Sequence, residues 1–201
     1  MEKDTYKTIL EASPGALFKD RGSKFFGYAF PVTDENQVKE YIIHLKKEHY
    51  NARHWCYAWQ LGKFYENYRV NDDGEPSNSA GMPIFGQLQS YDVTNVLIVV
   101  VRYFGGTKLG VGGLMQAYKT AARMSLETSK IVQKTIDEHF LIKFDYPEMN
   151  IVMRIIKEEK LSILNQKMEL NCEFKLAVRK KDSKRIFDLF ENTYKVSIKK
   201  A

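Results

Sequence analysis

Cysteine is scarce in this chain: only Cys56 and Cys172 occur among 201 residues, in segments of different patterning. That scarcity leaves neither a disulfide framework nor a cysteine zinc site to organise the fold. Long apolar runs are missing as well. The longest, Val96 to Val101, falls far short of the ~20 residues that a bilayer span needs. The charged start, Glu2, Lys3 and Asp4, does not read as a signal peptide. The sequence therefore predicts a cytoplasmic protein that does not bind membranes. His44, His49 and His54 fit no standard ligand spacing, so no metal and no cofactor is expected. What remains is the composition of a globular protein, 44% hydrophobic and 28% charged with a net charge of +6, large enough to bury a core in one or two domains.

The chain is organised around Asn95 to Tyr118, NVLIVVVRYFGGTKLGVGGLMQAY. The β-branched run Val96 to Val101 reads as a strand buried on both faces. A loop follows with Gly105, Gly106, Gly110, Gly112 and Gly113 around Lys108, and a helix is predicted from Leu114 to about Thr128. Strand, glycine loop and helix start, in that order, can aim backbone amides at an anion. Neither a Walker loop nor a dinucleotide fingerprint is spelled out. Arg102 and Lys108 add positive charge, but the glycines are equally accounted for by tight turns and close packing.

Just upstream, NDDGEPSNSAG holds Asp72, Asp73 and Glu75 around Gly74, then Ser77, Asn78 and Ser79. This is turn chemistry, with Ser79 as the expected N-cap of a helix from Ala80 to about Tyr91 and Pro83 in its first turn. Clustered carboxylates can instead bind a cation or a basic neighbour. The two irregular segments are each rich in residues unsuited to packing, and the sequence predicts that they fold against each other, with an acid meeting Arg102 or Lys108 and with Tyr103 and Phe104 positioned on the resulting surface.

Around this centre the chain reads as strands over Thr5 to Ala12, Leu17-Phe18 and Lys24 to Pro31. A helix capped by Asp34 and Gln37 follows over Asp34 to His49, then strands over Arg53 to Leu61 and Phe64 to Val70. Lys24 can face a ligand or guard a sheet edge. His54 is a candidate site residue or a satisfied core histidine. Trp55, Tyr57 and Trp59 share one strand face and serve either as core or as a stacking platform. After a junction at 131–136 the periodicities switch to strand, helix, strand, strand, helix, strand, a βαββαβ order over 137–201. The basic surplus leans toward this segment, where Arg179, Lys180, Lys181, Lys184 and Arg185 cluster. Such a cluster suits phosphate backbones or forms a solvated loop with its own counter-ions.

Taken together, RHWCYAWQLG, NDDGEPSNSAGMP and VVVRYFGGTKLGVGGLMQAY closely resemble the IMPACT family and its bacterial YigZ-like branch. Asn78-Ser79 and Met115-Gln116 depart from the family pattern, where Gly-Thr and a basic residue are usual. The resemblance implies an α+β protein of two domains. Residues 1–130 would be similar to domain 2 of ribosomal protein S5 and to domain four of elongation factor G, and residues 137–201 would be ferredoxin-like. It also implies a setting in translation, since eukaryotic members are linked to restraint of the kinase that phosphorylates initiation factor two.

Two functions follow as expectations. The first is a non-catalytic RNA- or ribosome-associated module in translation or its stress regulation, with RNA, the ribosome or a protein of translation control as partner. The second is an enzyme acting on a phosphorylated small molecule, with the acidic turn holding Mg²⁺ and the loop amides holding phosphate. Against the enzyme, the sequence names no activated nucleophile or positioned base.

Overall fold

The computed structural model describes residues 3–201. The chain divides into two compact units. One is Tyr6–Lys134; the other is Thr135–Ala201 together with the described residues before Tyr6.

In the first unit, β2 (Ala16–Asp20), β3 (Ser23–Pro31), β4 (His54–Leu61), β5 (Asn67–Asn71) and β6 (Val96–Tyr103) form a five-stranded sheet in the order β2-β3-β6-β4-β5. Every pairing in it is antiparallel. An antiparallel sheet with one wet face would alternate polar and apolar residues, but central β6 does not, because both of its faces are covered. Val96, Ile98 and Val100 face a core closed by α2 (Gly81–Ser90) and α3 (Gly110–Glu127). Leu97, Val99 and Val101 face a second core under α1 (Glu35–Glu48). Strand β4 splits the same way: Cys56 and Ala58 go to the first core, whereas Trp55, Tyr57, Trp59 and Leu61 go to the second. Trp55 is further tied down where its indole N–H donates to Leu45 O at 3.3 Å, so the aromatic row is core and not a stacking platform.

Helix α1 starts where Asp34 Oδ1 accepts from the Asn36 and Gln37 amides, and Gln37 Oε1 answers by accepting from Thr33 N at 2.9 Å. Helix α3 buries the stripe Leu114, Ala117, Tyr118, Ala121, Ala122, Ser125 and Leu126, the face its spacing predicts. It lies so close to β3 that a Cβ on Gly27 would stand 2.3 Å from Ala121 O, a separation only glycine permits. Strand β1 (Thr5–Ile9) pairs with β7 (Ile131–Thr135) in a two-stranded ribbon.

Two local expectations are corrected. Lys24 is exposed but is not an edge lysine, since β3 runs between β2 and β6. The strand after β4 begins at Asn67, not Phe64. Residues 62–66 form a loop instead, held where Asn95 Oδ1 accepts from Gly62 N, Glu66 Oε2 accepts from Phe64 N and Tyr65 turns to φ 62°.

The second unit contains β8 (Asp137–Asp145), α4 (Met149–Glu158), β9 (Ser162–Lys167), β10 (Asn171–Arg179), α5 (Ser183–Glu191) and β11 (Val196–Lys200), the βαββαβ order read from the periodicities. Its sheet runs β11-β8-β10-β9, antiparallel throughout. One face packs Phe140, Ile142, Phe174 and Leu176 against Val152, Ile156, Ile186 and Phe190 of the helices. Among the described residues no helix is long and apolar enough to cross a membrane.

Candidate functional site

The acidic turn and the end of β6 meet. Glu75 Oε1 accepts from Arg102 Nη1 at 2.6 Å and from Tyr118 Oη at 2.7 Å, and the Arg102 and Glu75 side chains are only 6% and 4% exposed. Cys56 Sγ lies 3.3 Å from Tyr118 Oη and 3.0 Å from Asp72 O. A polar chain therefore runs from β6 through the turn to α3 and β4. Burial pushes both the Tyr118 hydroxyl and the Cys56 thiol up, so each stays protonated. Tyr118 then remains a donor to Glu75.

The other two carboxylates are occupied with the fold. Asp72 Oδ1 accepts from Ala80 N and Gly81 N at 3.0 and 2.8 Å, and Oδ2 accepts from Asn78 N at 2.9 Å. Asp72 thus caps α2 from across the turn. The expected cap by Ser79 does not form; its hydroxyl donates back to Pro76 O at 2.6 Å in a fully buried position. Asp73 Oδ2 accepts from Trp55 N at 2.7 Å, and Asp73 O lies 2.9 Å from His54 Nδ1. His54 is thereby fixed beside the turn, in register with Arg102 on the neighbouring strand. Among the described residues no group of three or more His, Cys, Asp or Glu side chains is placed to hold a metal ion.

The glycine segment is shorter than its composition implies. Helix α3 begins at Gly110, so Gly110, Gly112 and Gly113 belong to its first turn, not to the loop before it. Gly105 is a packing residue, because a Cβ there would meet Gly22 at 1.9 Å. Gly106, at φ 88°, has open space around it. The helix start carries no side-chain cap and no acidic residue in its first turn, which leaves its amide donors uncompensated.

Between these parts lies a depression of about 350 Å³. Arg102 and Glu75 line it together with the apolar side chains of Phe104, Leu109, Val111 and Leu114 and with Lys108 and Gly110. Lys108 is exposed and Ser77 is exposed beyond the turn. Tyr103 is not part of it: strand alternation turns its side chain to the opposite face, where its hydroxyl lies 3.0 Å from His49 Nδ1. Lys24, paired in register with Tyr103, does not line the depression either.

Sequence reading missed His49 and Tyr118. His49, 8% exposed, bridges two tyrosines, with Nε2 at 2.7 Å from Tyr28 Oη and Nδ1 toward Tyr103. The available signal was that a tyrosine within a buried stripe, as at position 118, needs a partner for its hydroxyl.

In the second unit the basic cluster is partly neutralised. Arg179 Nε donates to Asp4 Oδ2 at 2.7 Å, and Arg185 grips Glu159 with both terminal nitrogens at 2.8 and 2.7 Å. Lys180 and Lys181 lie in a short 3-10 turn, while exposed Lys184 sits in the first turn of α5.

Comparison with known proteins gives the chain's relatives. A family model described as the Impact N-terminal domain matches residues 21–126. The chain is 31% identical over 179 residues to IMPACT family member YvyE of Bacillus subtilis strain 168, covering 89% of this chain and 82% of that protein. It is 28% identical over 160 residues to IMPACT family member YigZ of Escherichia coli strain K12, covering 78% of each. A solved structure described as the crystal structure of a hypothetical protein, 22% identical, superposes with a TM-score of 0.74 over 100% of this chain and 98% of that one; it supports the fold alone.

Proposed function

The chain belongs to the IMPACT family, and from that premise we propose that it is a non-catalytic, ribosome-associated binding module acting in translation control in the cytoplasm. One observation carries the non-catalytic part. Every carboxylate of the acidic turn is already engaged, Asp72 by three amides, Asp73 by Trp55 N and Glu75 by Arg102 and Tyr118. Each is committed to holding the turn, which weighs against the general base or Mg²⁺ ligand that the phosphoryl-enzyme reading requires. The family's link to translation supplies the setting. We read the first unit as similar to domain 2 of ribosomal protein S5 and the second as ferredoxin-like, the latter supported by its βαββαβ order and its β11-β8-β10-β9 sheet. Both analogies concern folds and are kept separate from the argument for function.

Within the basic cluster, Lys181 and Lys184 are exposed and are available to a phosphate backbone, so association should weaken as salt rises. The test is co-sedimentation of the full chain with ribosomes, and separately with total RNA, at increasing salt. The proposal expects pelleting with ribosomes at low salt, a negative salt slope, and a weaker, flatter response after charge reversal at Lys181 and Lys184. No pelleting with ribosomes at about 50 mM salt, where electrostatic association is strong, would reject it.

A further inference from the structure

The guanidinium of Arg102 is only half used. Glu75 takes Nη1, while Nε is buried without an acceptor, and among the described residues none is recorded for Nη2. The Nε–Nη2 edge is the fork that matches the two oxygens of a carboxylate or phosphate. A buried donor without a partner is costly, so a fold that keeps one calls for an acceptor from elsewhere. The arginine lines the depression at the start of α3. There the helix presents an amide terminus with no side-chain cap and no acidic residue in its first turn, and exposed Lys108 is among the lining residues. Two independent features therefore meet at one small volume, an arginine with an unpartnered buried Nε and an uncompensated helix N-terminus.

We propose that this depression is a carboxylate-binding subsite, which receives a single carboxylate attached to an apolar group. The charge count favours one negative charge over two: Glu75 already offsets Arg102, leaving Lys108 and the partial charge of the helix terminus. The walls select the rest of the ligand, because Phe104, Leu109, Val111 and Leu114 offer hydrocarbon to a branched or linear apolar body. Access is governed by Phe104. Its ring centroid lies 5.6 Å from the guanidinium carbon, and the side chain is 44% exposed on the loop after β6, so it can turn aside to uncover the fork. The carboxylate can come from a free apolar acid or from the C-terminal residue of a polypeptide. This assignment deepens the binding-module reading by naming a chemical group that the first unit receives, and it stands whether or not ribosomes are the partner.

The test is an amide and arginine-side-chain NMR titration of the isotope-labelled full chain with N-acetyl-leucine. N-acetyl-leucinamide, inorganic phosphate, and a leucine-terminated peptide with free or amidated C-terminus serve as the other arms. The expected result is saturable shifts at Gly110 to Gly113 and at Arg102 Nε–H, with a Kd on the order of 1 mM for a probe of about a dozen heavy atoms. Neither amide-capped probe should produce them. Tighter binding of the free-ended peptide than of N-acetyl-leucine assigns the source as a chain terminus; equal binding assigns a small acid. Gly112→Asp supplies an internal carboxylate in open space on the first turn and should weaken N-acetyl-leucine about tenfold while the fold persists. The proposal is overturned by an absence of shifts at those groups, by equal shifts from the neutral amide, by phosphate binding as well as the carboxylate, or by undiminished binding to Gly112→Asp.

Discussion

Arg102 and Glu75, 27 positions apart in sequence, meet at 2.6 Å with both side chains withdrawn from water. A pair so placed contributes less through its own attraction than through the penalty for separating it, since either partner alone would be a charge stranded in the core. Arg102→Ala should therefore cost about 3–5 kcal/mol of unfolding free energy, as should Glu75→Ala. The double variant should lose clearly less than the sum. Urea denaturation of the three proteins measures this, and single losses below about 1 kcal/mol would mean that the pair behaves as a solvated one.

The capping of α2 by Asp72 predicts an ordering of variants. Asp72→Ala removes the acceptor of three amides and should destabilise by about 1–2 kcal/mol. Asp72→Asn keeps an acceptor oxygen and should cost less. Ser79→Ala should also cost less than Asp72→Ala, although Ser79 is the more deeply buried residue. Denaturation midpoints in that order support the assignment; a larger loss at Ser79 would return the cap to the serine.

Cys56 offers a chemical readout of the core. Its thiol is buried and pushed up by that burial, and reactivity belongs to the thiolate. In a Cys172→Ala background, alkylation of Cys56 near neutral pH should proceed only as fast as the unit opens, and should become rapid in denaturant. Mass spectrometry follows the reaction directly. Prompt modification of the native protein would contradict the closed network of Cys56, Tyr118 and Glu75.

His49 should make stability depend on pH. Burial lowers its pKa from 6.5, with Glu48 opposing part of the shift, while burial raises Tyr28 to about 12 and keeps that hydroxyl protonated. The folded state therefore favours neutral imidazole. The stabilisation is present above pH 6.5 and is lost as pH falls below that value toward the lowered one in the fold. Denaturation midpoints of the native chain should fall in that window, and the fall should be shallower in His49→Gln. Identical profiles would remove His49 as the cause.

Periodicity carried the strands and helices because each is set by which neighbours in sequence share a face. The stripe from Leu114 to Leu126, the alternation of β4 and the βαββαβ order of the second unit were all legible in that way. Long-range partners were not. Asp72 reaches amides up to nine positions away across a turn whose shape no local pattern encodes, so the nearer Ser79 looked like the cap. The glycines at 110, 112 and 113 read as loop because their propensity opposes helix, whereas packing of the stripe behind them extends α3 through them. That the acidic turn would fold against the segment after β6, with Arg102 or Lys108 as partner, was foreseen from the cost of burying charge; that the partner is Arg102 was not. Which acid it would meet, and that Tyr118 would join them, depended on the sheet register.

The bond between Arg179 and Asp4 spans 175 positions and has a consequence for synthesis. At the usual ~5–20 residues per second, Asp4 emerges on the order of ten to thirty seconds before its partner is made. The first unit can close during that interval, since all of Tyr6–Lys134 has by then been translated. The second unit cannot, because it joins the described residues before Tyr6 to Thr135–Ala201. Asp4, made long before Arg179, is thus among the last residues to find its place.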